Sequence, residues 1–82
     1  MPITPENLTR HELIGLQVEV LKCSDPGIEG LAGEVLDETR DTLDIAGKTV
    51  EKSNCVFLFK LSETEVEVDG EEIQGRPEDR IK

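Results

Sequence analysis

Residues 14–20 read IGLQVEV. Ile14, Leu16, Val18 and Val20 alternate with Gly15, Gln17 and Glu19. A period of two places one set of side chains on one face of an extended chain, so the stretch is expected to be a β-strand with one buried face. Working outward, Ser24-Asp25-Pro26-Gly27 is turn chemistry, and residues 31–38 form a second strand. Gly30 and Gly33 there point to a bulge or a close backbone approach. Thr39-Arg40-Asp41 turns the chain into a strand over 42–45, Ala46-Gly47 turns it again, and 49–52 is a short fourth strand. Residues 56–61 are the most apolar stretch and are expected to run through the centre of the sheet. Residues 65–68 alternate once more, Asp69-Gly70 signals a hairpin, and Ile73 anchors a last short piece.

On the N-terminal side the periodicity is different. Thr4 is placed to cap a helix, with Pro5 at its first position and Glu6 in its first turn. Thr9-Arg10-His11-Glu12 repeats the start signal as a capping box. Residues 1–13 are therefore expected to be a helical segment attached to a β-unit over 14–82, one domain in all. So many short strands with tight turns in 82 residues suggest a small antiparallel barrel, closed so that no edge is exposed.

The composition narrows function. The chain has 6 Ile, 9 Leu and 7 Val but only Phe57 and Phe59 as aromatics, so the core is aliphatic. The two phenylalanines share a face and are read as core rather than as base-stacking platforms. No apolar run approaches the ~20 residues that cross a bilayer, and the N-terminus has no secretory pattern, so the expected compartment is the cytoplasm. Cys23 and Cys55 cannot form a four-ligand zinc site or a C-x-x-C pair. They read as free, partly buried thiols, with a disulfide as the alternative for an exported protein.

Catalytic chemistry finds little support. His11 is the one histidine, and it reads as a surface or helix-packing residue with no positioned partner. The acidic run DETRDTLD, residues 37–44, could in principle hold Mg²⁺. However, strand alternation sends Asp37 and Glu38 to opposite faces, and a turn separates them from Asp41 and Asp44. Thr39, Asp41 and Thr42 are expected to satisfy backbone groups instead. The glycines of residues 27–33 precede a strand and lack a Gly-Lys, so they cannot act as a P-loop.

The formal net charge is -10, from Lys+Arg 9 against Asp+Glu 19. Such a balance ordinarily opposes nucleic-acid binding, which depends on Lys and Arg. The acids are spread along the chain, as on the solvated surface of a protein from a salt-loving organism. At about 1 M salt the Debye length is only about 3 Å, so exposed carboxylates barely repel. Of the cations, Lys22, Arg40, Lys48 and Lys52 fall at strand ends or turns, where the rim of a barrel could present them to phosphate. Ion pairing with the surrounding carboxylates is the alternative. The tail GRPEDRIK, residues 75–82, combines Pro77 at a helix N1 with Glu78 and Asp79 in the first turn. Arg76 and Arg80 would flank that helical turn. They either latch it to carboxylates or bind phosphate in bidentate fashion.

Taken in order, HELIG at 11–15, Gly30…Gly33, DET at 37–39 with Thr42-Leu43, Lys52, Phe57 and RPEDRIK at 76–82 resemble the archaeal ribonuclease P protein component 1 family. The resemblance runs from about Asn7 to Lys82. It implies a small, strongly bent, Sm-like antiparallel barrel with a short N-terminal helix and a short C-terminal helical turn. It also implies a non-catalytic, RNA-binding subunit of ribonuclease P, the particle that removes the 5′ leader from precursor tRNA. In that particle the RNA carries Mg²⁺ and makes the cut, so this chain binds no cofactor. The implied partners are ribonuclease P RNA, precursor tRNA and the zinc-ribbon protein subunit. The expected RNA contacts are Lys52, Arg76, Arg80 and Lys82, with Lys22, Arg40 and Lys48 beside them. The chain departs from the family in its acidity, in Asp41 where Asn is usual, and in stopping at Lys82 without a basic helix. A protein-interaction module, an acidic barrel docking a basic partner, is the alternative reading.

Overall fold

The computed structural model describes Leu8 and residues 12–75. Six strands follow one another: β1 (Gln17–Cys23), β2 (Ala32–Glu38), β3 (Thr42–Ile45), β4 (Lys48–Glu51), β5 (Cys55–Lys60) and β6 (Glu65–Asp69). A 3₁₀ turn, Lys52–Asn54, links β4 to β5, and another, Gly70–Ile73, follows β6. The strands form one antiparallel sheet in the order β4-β3-β2-β1-β5-β6. β2 changes partner midway: Ala32–Glu34 pair with β1, and Val35–Glu38 pair with β3. The sheet folds over at that point, and both halves contribute to a single core. Val18, Val20, Phe57, Phe59 and Val68 come from one half, and Val35, Leu43, Ile45 and Val50 from the other. Leu8, Leu13 and Ile73 complete the same core.

Two bulges break the simple alternation, and each has a consequence. In β1 the pairing with β5 steps from Val20↔Phe57 to Lys22↔Val56, leaving Leu21 as the extra residue. In β2 the pairing with β3 steps from Val35↔Ile45 to Asp37↔Asp44, leaving Leu36 extra and 52% exposed. An extra residue reverses which side chains point inward beyond it. Cys23 thereby comes opposite Cys55, and Glu38, rather than Asp37, enters the interior.

The expected closed barrel is not formed. β4 and β6 are the two edges of the sheet and share no ladder. Their ends are bridged instead by the two 3₁₀ turns. A Cβ on Gly70 would lie 1.5 Å from the Lys52 carbonyl oxygen, so only glycine fits that contact. The same contact explains why Asp69-Gly70 is not a hairpin turn. Asp69 caps the 3₁₀ turn, its Oδ1 accepting from the Glu71 N–H at 3.0 Å, while Glu72 Oε1 accepts from the Asp69 N–H at 3.3 Å. Gly33 meets its expectation of a close approach, since a Cβ there would lie 2.8 Å from that of Ala46.

The expected N-terminal helix is not supported. Leu8 lies in a 3₁₀ segment, and Glu12 and Leu13 are not helical. The remainder of that segment lies outside the described residues, as does the C-terminal helical turn expected at 77–82. The cysteines also differ from the free thiols expected: Cys23 and Cys55 are joined as a disulfide across β1 and β5. Among the described residues no helix is long and apolar enough to cross a membrane.

Candidate nucleic-acid interface

Lys52 is the expected RNA contact that the structure places elsewhere. It follows β4 directly and is fully buried. An ammonium inside a protein needs an opposite charge and a partner for each proton. Its Nζ lies 2.7 Å from Glu38 Oε2, and the side chains of both residues are 0% exposed. It also donates to the carbonyls of Thr39 at 2.8 Å, Gly75 at 3.0 Å and Arg40 at 3.3 Å. No face of this ammonium is turned to solvent, so it does not reach a phosphate in this conformation. Lys52 is an internal tie.

Around that tie the backbone is stitched from several sides. The Lys52 N–H donates to the Asp41 carbonyl at 2.8 Å, and the Gly75 N–H donates to the Arg40 carbonyl at 2.8 Å. The Gln74 amide bridges the same elements. With the amide oriented to satisfy its neighbours, its Nε2 donates to the Arg40 carbonyl at 3.2 Å and to Asp41 Oδ1 at 3.1 Å, and its Oε1 accepts from the Ser53 N–H at 3.3 Å. Three segments distant in sequence, 38–41, 52–53 and 74–75, thus meet at one point.

Arg40 sits at the rim of this junction with its side chain 70% exposed and its Nε 3.6 Å from Asp41 Oδ2. Lys22 is exposed near the end of β1. It lines an open cleft of about 520 Å³ with Cys23, Ser53, Asn54 and Cys55. Both cations therefore border the 52–54 turn: the Ser24 N–H donates to the Asn54 carbonyl at 3.1 Å, next to Lys22, while Lys52 binds the Arg40 turn. Lys48 is not part of this group. It begins β4 opposite Ile45, at the far end of the β3–β4 hairpin from Arg40. Arg76, Arg80 and Lys82 lie outside the described residues, as do Arg10 and His11. Lys60, not among the expected contacts, is half exposed with its Nζ 3.9 Å from Glu19 Oε1.

The acids of 37–44 are mostly engaged structurally. Glu38 holds Lys52, Asp41 pairs with Arg40, and Asp44 Oδ1 accepts from the Gly47 N–H at 3.0 Å. Thr39 Oγ1 accepts from the Thr42 N–H at 3.1 Å, closing the turn as expected. Among the described residues no three His, Cys, Asp or Glu side chains converge as a metal site. Phe57 and Phe59 are fully buried with ring centroids 6.2 Å apart, so they belong to the core and are not available to stack on bases.

Sequence reading did not assign Glu38, Gln74 or Gly75 to this junction. Alternation from Val35 points Asp37 inward, and only the pairing with β3 shows the bulge that brings Glu38, the last residue of β2, there instead.

A small, open, antiparallel β-sheet that gathers the exposed Arg40 turn and Gly75 around one buried ion pair defines an all-β domain. The profile described as Ribonuclease P/MRP, subunit p29 matches residues 6–82. The chain is 46% identical over 85 residues to "Ribonuclease P protein component 1" of Methanocaldococcus jannaschii, covering 98% of this chain and 90% of the relative. It is 43% identical over 86 residues to the protein of the same name from Haloarcula marismortui, covering 100% and 92%. Among solved structures, "Structure of Mth11: A homologue of human RNase P protein Rpp29" superposes with a TM-score of 0.64 at 43% identity, covering 87% of this chain and 99% of that one. The chain belongs to the ribonuclease P/MRP p29 family.

Proposed function

We propose that the chain is a non-catalytic protein subunit of ribonuclease P that binds the RNA of the particle and supports removal of the 5′ leader from precursor tRNA. The observation that carries this reading is the family match over 6–82, with relatives named for ribonuclease P aligned over almost their whole length. The sheet is read as a strongly bent, Sm-like arrangement left open between β4 and β6. Arg40 and Lys22, with Arg76, Arg80 and Lys82 of the tail, serve as phosphate contacts, and Lys48 contributes from the other end of the β3–β4 hairpin. Mg²⁺ and the hydrolytic step belong to the RNA. The chain works in the cytoplasm of a salt-loving cell, where concentrated cations mask its acidic surface.

A second contact, with the zinc-ribbon subunit, is favoured by Ile14 and Leu36, which are 42% and 52% exposed. They are chain neighbours of Gly15 and Val35, whose N–H and carbonyl hydrogen-bond at 2.8 Å, so two exposed apolar residues stand on adjoining backbone segments. Docking through this pair is compatible with RNA binding elsewhere.

Reconstitution tests the proposal. Purified chain, ribonuclease P RNA and the other subunits in high salt should cleave precursor tRNA faster than the same mixture lacking the chain. No difference would sink the reading, as would cleavage by the pure chain without any RNA.

A further inference from the structure

The open sheet has two edges, and they are not alike. Beside β4, Thr49, Val50 and Glu51 line a gap of about 230 Å³ with Asp25 and Ile28 of the β1–β2 connection, so the chain itself flanks that edge. Among the described residues β6 pairs with β5 alone. The ladder shows which backbone groups β6 leaves over. The Leu61 N–H donates to the Thr64 carbonyl at 2.8 Å, and from there bonded and unbonded pairs alternate. Phe59↔Val66 and Phe57↔Val68 are then the bonded pairs, and Lys60↔Glu65 and Leu58↔Glu67 the unbonded ones. The Asp69 N–H agrees with that phase, because it turns to Glu72 Oε1 at 3.3 Å rather than to β5. The N–H and carbonyl groups of Glu65 and Glu67 therefore point outward, with no partner among the described residues.

The side chains of this edge alternate too. Val66 is half-buried and Val68 buried, while Glu65, Glu67 and Asp69 are exposed. Glu65 and Glu67 make no ion pair among the described residues. Lys60 stands opposite Glu65, but its Nζ lies 3.9 Å from Glu19 Oε1. A second copy of the chain does not suit the edge. Any antiparallel register that keeps the valines on the core side sets acid against acid, with Glu67 facing its own equivalent, and like charges directly opposite destabilise a strand pair. RNA is repelled by the same carboxylates.

We propose that the β6 edge is a docking site for an extended basic segment of a partner protein, which adds as an antiparallel strand with Lys or Arg at every second position, opposite Glu65 and Glu67. Backbone pairing supplies the attachment, and the alternate side chains supply the selection. Apolar residues between the cations would lie on the core side, beside Val66. Concentrated salt screens the charges and leaves the ladder.

The probe is a short, capped synthetic peptide of alternating Lys and Val, added to the full chain in about 0.1 M KCl, where the Debye length is about 10 Å. Amide exchange followed by NMR is expected to slow at Glu65 and Glu67 and to stay unchanged at Thr49 and Glu51. The same peptide N-methylated at its lysines keeps its charge but loses the donors that face β6, and should bind about 10-fold more weakly. Glu67→Gln, which removes one charge, should weaken binding about 3-fold. Glu67→Pro also removes the outward N–H, which β5 does not use, and should weaken it about 10-fold further. The methylated peptide tests the same point in the unaltered chain. Equal binding of the methylated and plain peptides would overturn the proposal, as would protection at β4 instead of β6, or no saturable binding at all.

Discussion

Lys52 and Glu38 form an ion pair of 2.7 Å in which neither side chain is exposed. Of the five described cations, this one is withdrawn entirely from solvent in a chain of net charge -10. Its carboxylate is brought inward by the Leu36 bulge of β2. Removing one member strands the other in the core, which costs roughly 3–5 kcal/mol, whereas removing both does not.

Lys52→Met alone is therefore expected to lower unfolding free energy by roughly 3–5 kcal/mol, and Glu38→Leu alone by a similar amount. The combined variant should recover most of that loss. Urea unfolding of the four proteins checks it, and additive single losses would show that the pair is not the reason for the burial.

Gly70→Ala should be among the most damaging small substitutions in the chain. The added methyl would lie 1.5 Å from the Lys52 carbonyl oxygen, a backbone atom that cannot swing aside. The turns that bridge β4 and β6 must separate, at an expected cost of ~3 kcal/mol or more. Thermal melts against Gly47→Ala, whose added methyl meets nothing within 4 Å but whose φ of +91° strains it, separate collision from backbone strain.

Reducing the Cys23–Cys55 bond should destabilise the fold without dismantling it. The crosslink spans a sequence separation of 32, and restoring that freedom to the unfolded chain costs about 2–4 kcal/mol. In a domain of this size that is a fall in Tm of roughly 10–25 °C. Melts with and without a thiol reductant, beside Cys23→Ser with Cys55→Ser, provide the measurement. Equal melting temperatures would mean that the bond is absent in solution.

Added KCl should raise Tm steadily up to about 1 M, where the Debye length reaches about 3 Å and screening of exposed carboxylates is nearly complete. Glu63, Glu65, Glu67, Asp69 and Glu71 are all exposed along and beside the β6 edge and repel one another at low salt. A flat or falling curve would remove the halophilic explanation of the acidity.

Much of the β-structure was legible from period and turn chemistry. The strand expected over 42–45 is β3 with the same bounds, and those expected over 31–38, 56–61 and 65–68 lie within a residue of β2, β5 and β6. The first strand is displaced from 14–20 to Gln17–Cys23. Ile14-Gly15 is instead a turn, closed by the Leu16 N–H on the Leu13 carbonyl at 3.1 Å. The bulges at Leu21 and Leu36 were not legible, because alternation reads the same until a neighbouring strand supplies the register. The cysteine pairing and the inward turn of Glu38 depend on those bulges. They are tertiary facts, as is the missing ladder between β4 and β6, whose gap the Gly70–Lys52 contact fills.

The Leu36 bulge also bears on how the gene can change length. Straightening that bulge at constant length would restore strict alternation from Val35 and turn the Glu38 carboxylate outward, orphaning the lysine that depends on it, whereas deleting Leu36 itself leaves Glu38 two residues from Val35 and still inward. Between β1 and β2, residues 24–27 are exposed and can absorb insertions more readily than Ile28, which packs against the core. Lineages of this protein should therefore differ in length there, while the spacing from Val35 to Glu38 is either three with a bulge or two without one.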